Sequence, residues 1–221
     1  MSSTRTRPSR VARFHSAAVF ALALALTGCS GTGGTDGVLT APTGRTDAAP
    51  SVPGATSTPE PASWADAVAP EGFTVAVVTA VPQGADPEID AAVDAIGART
   101  GAAVSRTVVP PGGADTGDPL TDVLAGSPDL VVVLGLELLD VADRSSASNL
   151  GQQFLIIGAQ LPEPTANVTA VVWPGATARR ADEPRAVPNG LPGVVAHAGD
   201  ALQAGLAALI ADTTGGVLVL S

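Results

Sequence analysis

The stretch "PDLVVVLG", Pro128–Gly135, decides the fold. Its centre, Leu130 to Leu134, is five apolar residues in a row, three of them β-branched, closed by a glycine. A strand with one wet face alternates apolar and polar side chains. A strand without alternation is covered on both faces. A parallel sheet between two layers of helix supplies both covers.

The flanking sequence repeats the signal. "FTVAVVTAV" (Phe73–Val81), "AAVSRTVVP" (Ala102–Pro110), "QFLIIGA" (Gln153–Ala159), "NVTAVVWP" (Asn167–Pro174) and "GGVLVLS" (Gly215–Ser221) read as further strands. Between them lie helical patterns. In "ADPEIDAAVDAIGARTG" (Ala85–Gly101), Asp86 can cap, Pro87 suits the first helical position and Glu88 the first turn. Ile89, Ala92, Val93 and Ile96 form one apolar stripe, and Gly97 or Gly101 can close the helix. "GDPLTDVLAG" repeats the Asp-Pro start at Asp118-Pro119. "ELLDVADRSSASNL" is a further helix, and Gly205 to Ala211 lies inside a late one. Alternating strands and helices predict one doubly wound, mostly parallel α/β lobe, Rossmann-like or flavodoxin-like, with about six strands over residues 62–221. Gly175–Gly199, with three prolines and clustered charge, reads as an irregular excursion with a short helical turn near Ala176–Ala181.

Ligands of open parallel sheets sit beyond the strands' C-terminal ends. The candidates there are Thr79, Gln83, Gly84 and Asp86 after the first strand and Gly135 and Glu137 after the third. Gly158 and Gln160 follow the fourth, and Trp173 the fifth. Each has a plainer role open to it. Asp86 can cap its helix, Glu137 can start one, and Trp173 is either a stacking platform for a ring or a lid on the core.

The N-terminus carries an address. "MSSTRTRPSRVARFH" is basic, and Ser16–Leu26 is a short apolar run. A span needs about 20 residues of helix, so this is a secretory signal and not an anchor. At its end stands Leu26-Thr27-Gly28-Cys29, holding the one cysteine of the chain. This tetrad resembles the lipobox of bacterial lipoproteins, which implies cleavage between Gly28 and Cys29 and a diacylglyceryl thioether on Cys29 Sγ. Several acyl chains hold firmly where one is marginal. A reactive thiol would need a nearby base, and the signal offers only His15, which cleavage removes. Residues 30–61, rich in Gly, Ser, Thr and Pro, read as a flexible tether spanning about 30 Å root-mean-square. The expected organisation is a signal over 1–28, a lipidated N-terminus and linker over 29–61, and one lobe over 62–221. The expected place is the extracytoplasmic face of the cell membrane, held there by lipid on Cys29.

Composition excludes several classes. All 11 basic residues are Arg, and beyond Cys29 there are 7 Arg against 21 acidic residues. Such a surface repels phosphate backbones, so nucleic-acid binding is not expected. With no Lys there is no Walker lysine, and one Cys forms neither an internal disulfide nor a thiolate cluster. Past the signal the only histidine is His197, in the irregular excursion, without a Gly-x-Ser-x-Gly turn to partner it. Asp86, Glu88, Asp90 and Asp94 read as a solvated helix face. The expectation is a protein that is not an enzyme and holds no metal or cofactor.

Taken in order, "VAVVTAVPQGADPEIDAAVDAI", "PDLVVVLGLELLDVADRSSASNLGQQFLIIG", "ANVTAVVW" and "LQAGLAALIADTTGGVLVLS" resemble the basic membrane lipoprotein family, including its PnrA-like type. These are periplasmic-binding-protein-type, substrate-binding components of ABC transporters for purine nucleosides and related solutes. The resemblance implies a nucleoside-like solute and an ABC permease as partner, and it covers the first of that family's two lobes. Where the family has an acidic-Lys-Ser-Phe-Asn run, this chain reads Asp86-Pro87-Glu88-Ile89-Asp90, so only the first position matches. The acidic residue usual after the first strand is Ala80, and the Asp usual after the fourth is Gly158. The alternative is a non-catalytic interaction lipoprotein that has lost the ligand site.

Overall fold

In the computed structural model, residues 52–109, 119–176, 191 and 193–221 are described. They build a parallel sheet flanked by helices. In chain order the elements are β1 (Thr56–Ser57), β2 (Thr74–Thr79), α1 (Pro87–Thr100), β3 (Ala103–Val108), α2 (Thr121–Ala125) and β4 (Leu130–Leu134). There follow a single 3-10 turn (Leu136–Leu138), α3 (Leu139–Ser148), β5 (Phe154–Ile157), β6 (Val168–Val172), α4 (Val194–Ile210) and β7 (Val217–Val219). The sheet order is β1-β7-β6-β5-β4-β2-β3, and every pairing is parallel. Counted from β2, that is the 2-1-3-4-5-6 order of a flavodoxin-like sheet.

The decisive stretch behaves as its composition demands. Every residue of β4 and β5 is buried, with Val131 and Val132 at 0 % exposure. β3, at the sheet edge, keeps several residues half-exposed or exposed. Asp86 caps α1: its Oδ1 accepts from Glu88 N at 2.9 Å and from Ile89 N at 3.3 Å. Gly101 ends the helix in the left-handed conformation, φ 69°, so of the two glycines it is the stop.

Register fixes which helix covers which face. Val77, Val132 and Leu155 are lateral neighbours and share a face. α4 lies on that face, with Gly205 so close to Leu155 that a methyl group there would sit 2.6 Å from Leu155 Cδ1. α1 packs beside α4 and over Val104, which is in register with Val75 on the same face. α2 and α3 cover the other face, where Leu120, Leu138, Val141 and Ala142 line one gap with Val78 and Val133. The crossover β6–α4–β7 steps away from β3 over the α1 face, whereas β2–α1–β3 steps toward that edge over the same face. The two therefore have opposite hands. The α2 and α3 crossovers share the hand of β2–α1–β3, so the last unit departs from the right-handed rule.

Several expectations need correction. The described residues hold seven strands, because Thr56–Ser57 pairs with β7 and Gly54 N donates to Gly215 O at 2.8 Å. Trp64 is buried, and Gln203 Nε2 donates to Ala65 O at 3.1 Å. The segment assigned to the end of the tether, from residue 52, is thus bound to the lobe. α4 begins at Val194, so the last part of the expected irregular stretch is helix, and His197 lies on its first turn. The second Asp-Pro is not a helix start: α2 begins at Thr121 after Leu120, and Asp118 lies outside the described residues. So do the signal, Gly28, Cys29, most of the tether and residues 177–190.

Candidate functional site

The sheet order reverses between β2 and β4, since β2 leads to β3 on one side and the later strands run to the other. The crevice of an open sheet lies beyond the strand ends at such a point. Two sets of candidates follow those two strands: Thr79, Gln83, Gly84 and Asp86 after β2, and Gly135 and Glu137 after β4. Gln160 follows β5 and Trp173 follows β6, progressively farther along the same edge.

The loop after β2 is held by a residue the sequence reading passed over. Arg106 on β3 reaches under α1 with a side chain only 13 % exposed. Its Nε donates to Thr79 Oγ1 at 3.2 Å and its Nη2 to Val81 O at 2.9 Å. Its Nη1 makes a short ion pair with Asp90 Oδ1. The other oxygen of Asp90 accepts from Gly84 N at 2.7 Å. Thr79 Oγ1 itself donates to Val81 O at 2.9 Å. The bond from Arg106, then that from Gly84, holds the Asp90 carboxyl below its ordinary pKa. The signal that could have exposed this network is one arginine inside an otherwise apolar or hydroxylic strand.

This geometry reassigns several candidates. Thr79 is fully buried and spends its hydroxyl on Arg106 and Val81, so it faces the core and not a crevice. Asp86 is a cap. Trp173 is 4 % exposed and stacks on His197 at 4.8 Å between centroids. A methyl group at Gly158 would lie 3.1 Å from the Trp173 ring and 3.2 Å from Leu191. Of its two readings, the lid on the core describes the ring. Gly135 adopts φ 142°, and the Glu137 carboxylate folds back beneath it, 3.1 Å from where a side chain would start. Gln83 is exposed, while Glu137 and Gln160 are half-buried. These three, with the Gly84 turn, are the sequence candidates left accessible along the row of strand ends, the rim of that edge.

The rim does not suit anions. Helix N-termini bind anions through free N–H groups. Here the amides of Gly84, Glu88 and Ile89 already donate to the carboxylates of Asp90 and Asp86. Among the described residues, no group of three or more His, Cys, Asp or Glu could hold a metal ion. A concavity of about 360 Å³ opens elsewhere, beside the second half of α4, lined by Trp64, Pro59, Ala204, Ala207, Ala208 and Leu218 with three hydroxyl residues. It is apolar and belongs to the segment that enters from the tether.

No protein-family model and no curated protein matches the chain. Among solved structures, it is similar to a solute-binding protein of an ABC transporter system from Aeropyrum pernix K1, with 17% identity and a TM-score of 0.39. That match covers 47% of this chain and 29% of the other, so the chain spans under a third of that protein's length. It is also similar to a fragment provisionally described as a lipoprotein from Peptoclostridium difficile 630, with 13% identity and a TM-score of 0.41. There the match covers 62% of this chain and 97% of that one.

Proposed function

We propose that this chain is an extracytoplasmic lipoprotein, held to the cell membrane by acyl groups on Cys29, whose lobe binds a small solute at the β2/β4 switch point for an ABC permease. In this reading the lobe performs no reaction. The observation that carries it is the loop after β2: it is held by Arg106 and Asp90 through bonds within the chain, beside the strand reversal. The solute class follows from the rim. With the Gly84, Glu88 and Ile89 amides committed and Glu137 alongside, a neutral or cationic molecule fits and a phosphorylated one does not. Neutral nucleosides, the class implied by the basic membrane lipoprotein resemblance, meet that condition.

A specific observation favours a second reading, a non-catalytic interaction lipoprotein. Thr79, Asp86 and Trp173 are all engaged internally, so three of the expected ligand contacts are spent.

Thermal shift of the full chain separates the two. Saturable stabilisation by a nucleoside or a small cation at millimolar concentration, with none from the matching nucleotide, supports solute binding. No shift with any of them, together with a protein partner captured by cross-linking in intact cells, supports the second reading. Mass spectrometry of the membrane fraction tests the address, and an unmodified Cys29 there would refute it.

A further inference from the structure

We infer that Arg106 is a positioning residue that keeps the β2–α1 loop in one conformation, acting through Asp90 on the backbone of Gly84. The inference rests on the solute-binding reading for its purpose but not for its test.

The loop, residues 80–86, has few apolar anchors of its own. Ala80 and Val81 are half-buried, and Pro82 to Ala85 are exposed. Such a segment would normally sample several conformations. Its fixed points are polar and come from elsewhere. At its start, Arg106 Nη2 holds Val81 O, and Arg106 Nε holds the hydroxyl of Thr79, the last residue of β2. At the turn, Gly84 adopts φ +83°, and its amide points to Asp90 on α1. Asp90 is the joint. One oxygen takes the guanidinium and the other takes Gly84. A planar fork with several donors can serve Thr79, Val81 and Asp90 together, which a lysine cannot do. The strand edge, the loop and the helix thereby become one body.

The structural consequence is order, not bulk stability. The clamp lies at the β2–β3 side of the sheet, and its side-chain bonds reach Thr79, Val81 and Asp90 but not the central strands β4 and β5. Removing it should loosen the loop and leave the centre of the sheet intact. If the switch point binds a solute, the rim is presented ready-made, and losing the clamp lowers apparent affinity by the fraction of time the loop is misplaced.

The test is site-resolved amide hydrogen exchange on the full chain without ligand, for wild type, Arg106→Leu, Arg106→Lys and Asp90→Asn. Arg106→Leu keeps Asp90 as the acceptor of Gly84 N but removes the guanidinium that holds that carboxylate, so exchange at Gly84 should quicken by about tenfold or more, the factor for losing the charge-assisted bond behind it. Amides of Val132 and Leu155 should keep their relative protection. Arg106→Lys should restore part of the Gly84 protection, because an ammonium can still pair with Asp90. Asp90→Asn removes the ion pair and leaves one acceptor oxygen for Gly84 N and the guanidinium to share, so it serves where Arg106→Leu folds poorly, with an intermediate effect. Unchanged Gly84 exchange in both Arg106→Leu and Asp90→Asn overturns the inference. So does a uniform loss over all strands, which would make Arg106 a general stabiliser. If the clamp behaves as stated but no solute shifts the melting temperature, the solute reading fails and the positioning role stands.

Discussion

Gly205 on α4 offers a sharp test of how the lobe is assembled. Replacing a helical glycine by alanine normally stabilises by about 0.8–1.0 kcal/mol. Here the new methyl would meet Leu155 at 2.6, 2.7 and 3.2 Å through its Cδ1, Cδ2 and Cγ. Leu155 is 1 % exposed on a central strand, so it has little room to yield. Overpacking of this kind costs about 1–3 kcal/mol, and three short contacts to one locked side chain argue for the upper half. The net expectation for Gly205→Ala is a loss of about 1–2 kcal/mol. For a folded unit of this size that is a fall of about 3–6 °C in Tm. Gly199 on the same helix is the control. There the methyl would meet Arg99 Cγ at 3.0 Å, on a side chain 53% exposed that can swing away. The propensity gain should survive, so Gly199→Ala should be neutral or stabilising by up to about 1 kcal/mol. Leu155→Val trims the clashing carbons. The double variant with Gly205→Ala should lose less than the two single losses added, by about 1 kcal/mol or more. Urea denaturation of all four variants with a common m-value decides the matter. A Gly205→Ala variant as stable as wild type would show that α4 does not lie on the Leu155 face. The reversed hand of the last crossover would fall with it.

Other outcomes follow from single contacts. Asn167, 4 % exposed, donates through Nδ2 to Ser146 O, Asn149 O and Gln152 O at 3.2, 3.1 and 2.9 Å, closing the C-terminal end of α3. Asn167→Ala leaves Gln152 O without its donor, while Ser146 O and Asn149 O keep the backbone amides of Asn149 and Gln152; the variant should cost about 1–3 kcal/mol by urea denaturation, the range for one buried group left unpaired, and a loss below about 0.5 kcal/mol, the size of a surface change, would contradict the network. Asp90 should show a pH signature. Its folded pKa is depressed, first by Arg106 and then by Gly84, so its contribution is complete above the ordinary value of 3.8 and is lost as pH falls through the lower folded value. The amide shift of Gly84, followed by NMR, should therefore titrate with a midpoint below 3.8, and a midpoint at or above it would refute the ion pair. Asp129 should behave alike, because Thr74 N and Thr74 Oγ1 both donate to its Oδ2 at 2.8 Å. Thr74→Ala removes the hydroxyl donor and should raise the Asp129 midpoint.

What was legible in the sequence was local. β4 and β5 declare themselves by unbroken apolar runs. α1 declares itself by Asp86, Pro87 and its stripe, all within one segment. What was hidden depends on residues far apart. Arg106 and Asp90 are separated by 16 positions, and neither belongs to a motif. Thr56–Ser57 joins the sheet by backbone bonds alone, so two polar residues in a Pro- and Gly-rich stretch show no period to read. α4 starts at Val194 behind Gly193 with no side-chain cap, and Gly199 and Gly205 interrupt its pattern. Those glycines are explained only by Arg99 and Leu155 across the interface. Trp173 had two readings open to it, platform or lid, and the residues that decide between them, Leu191 and His197, stand far along the chain and make it core.

The same carboxylates connect fold to function. Asp86 and Asp90 do for α1 and its loop what a bound anion does at the switch point of many α/β sheets: they satisfy the amides and oppose the helix dipole. Amides that already donate to these carboxylates offer no free N–H to a phosphate. If the lobe binds a solute as proposed, discrimination comes from side chains at the rim. Those left accessible are two amides, Gln83 and Gln160, and one carboxylate, Glu137. Amides can both donate and accept, and the carboxylate accepts, so the complementary solute is rich in donors and carries no negative charge. One lobe buries only one side of such a molecule. Deep clefts bury most of their ligand, so a single rim of this kind implies weak binding unless a permease or a second protein closes over it. Under that proposal, affinity measured with the isolated chain should be poorer than on membranes that hold the proposed permease, and equal affinity in both would mean that the rim alone is the whole site.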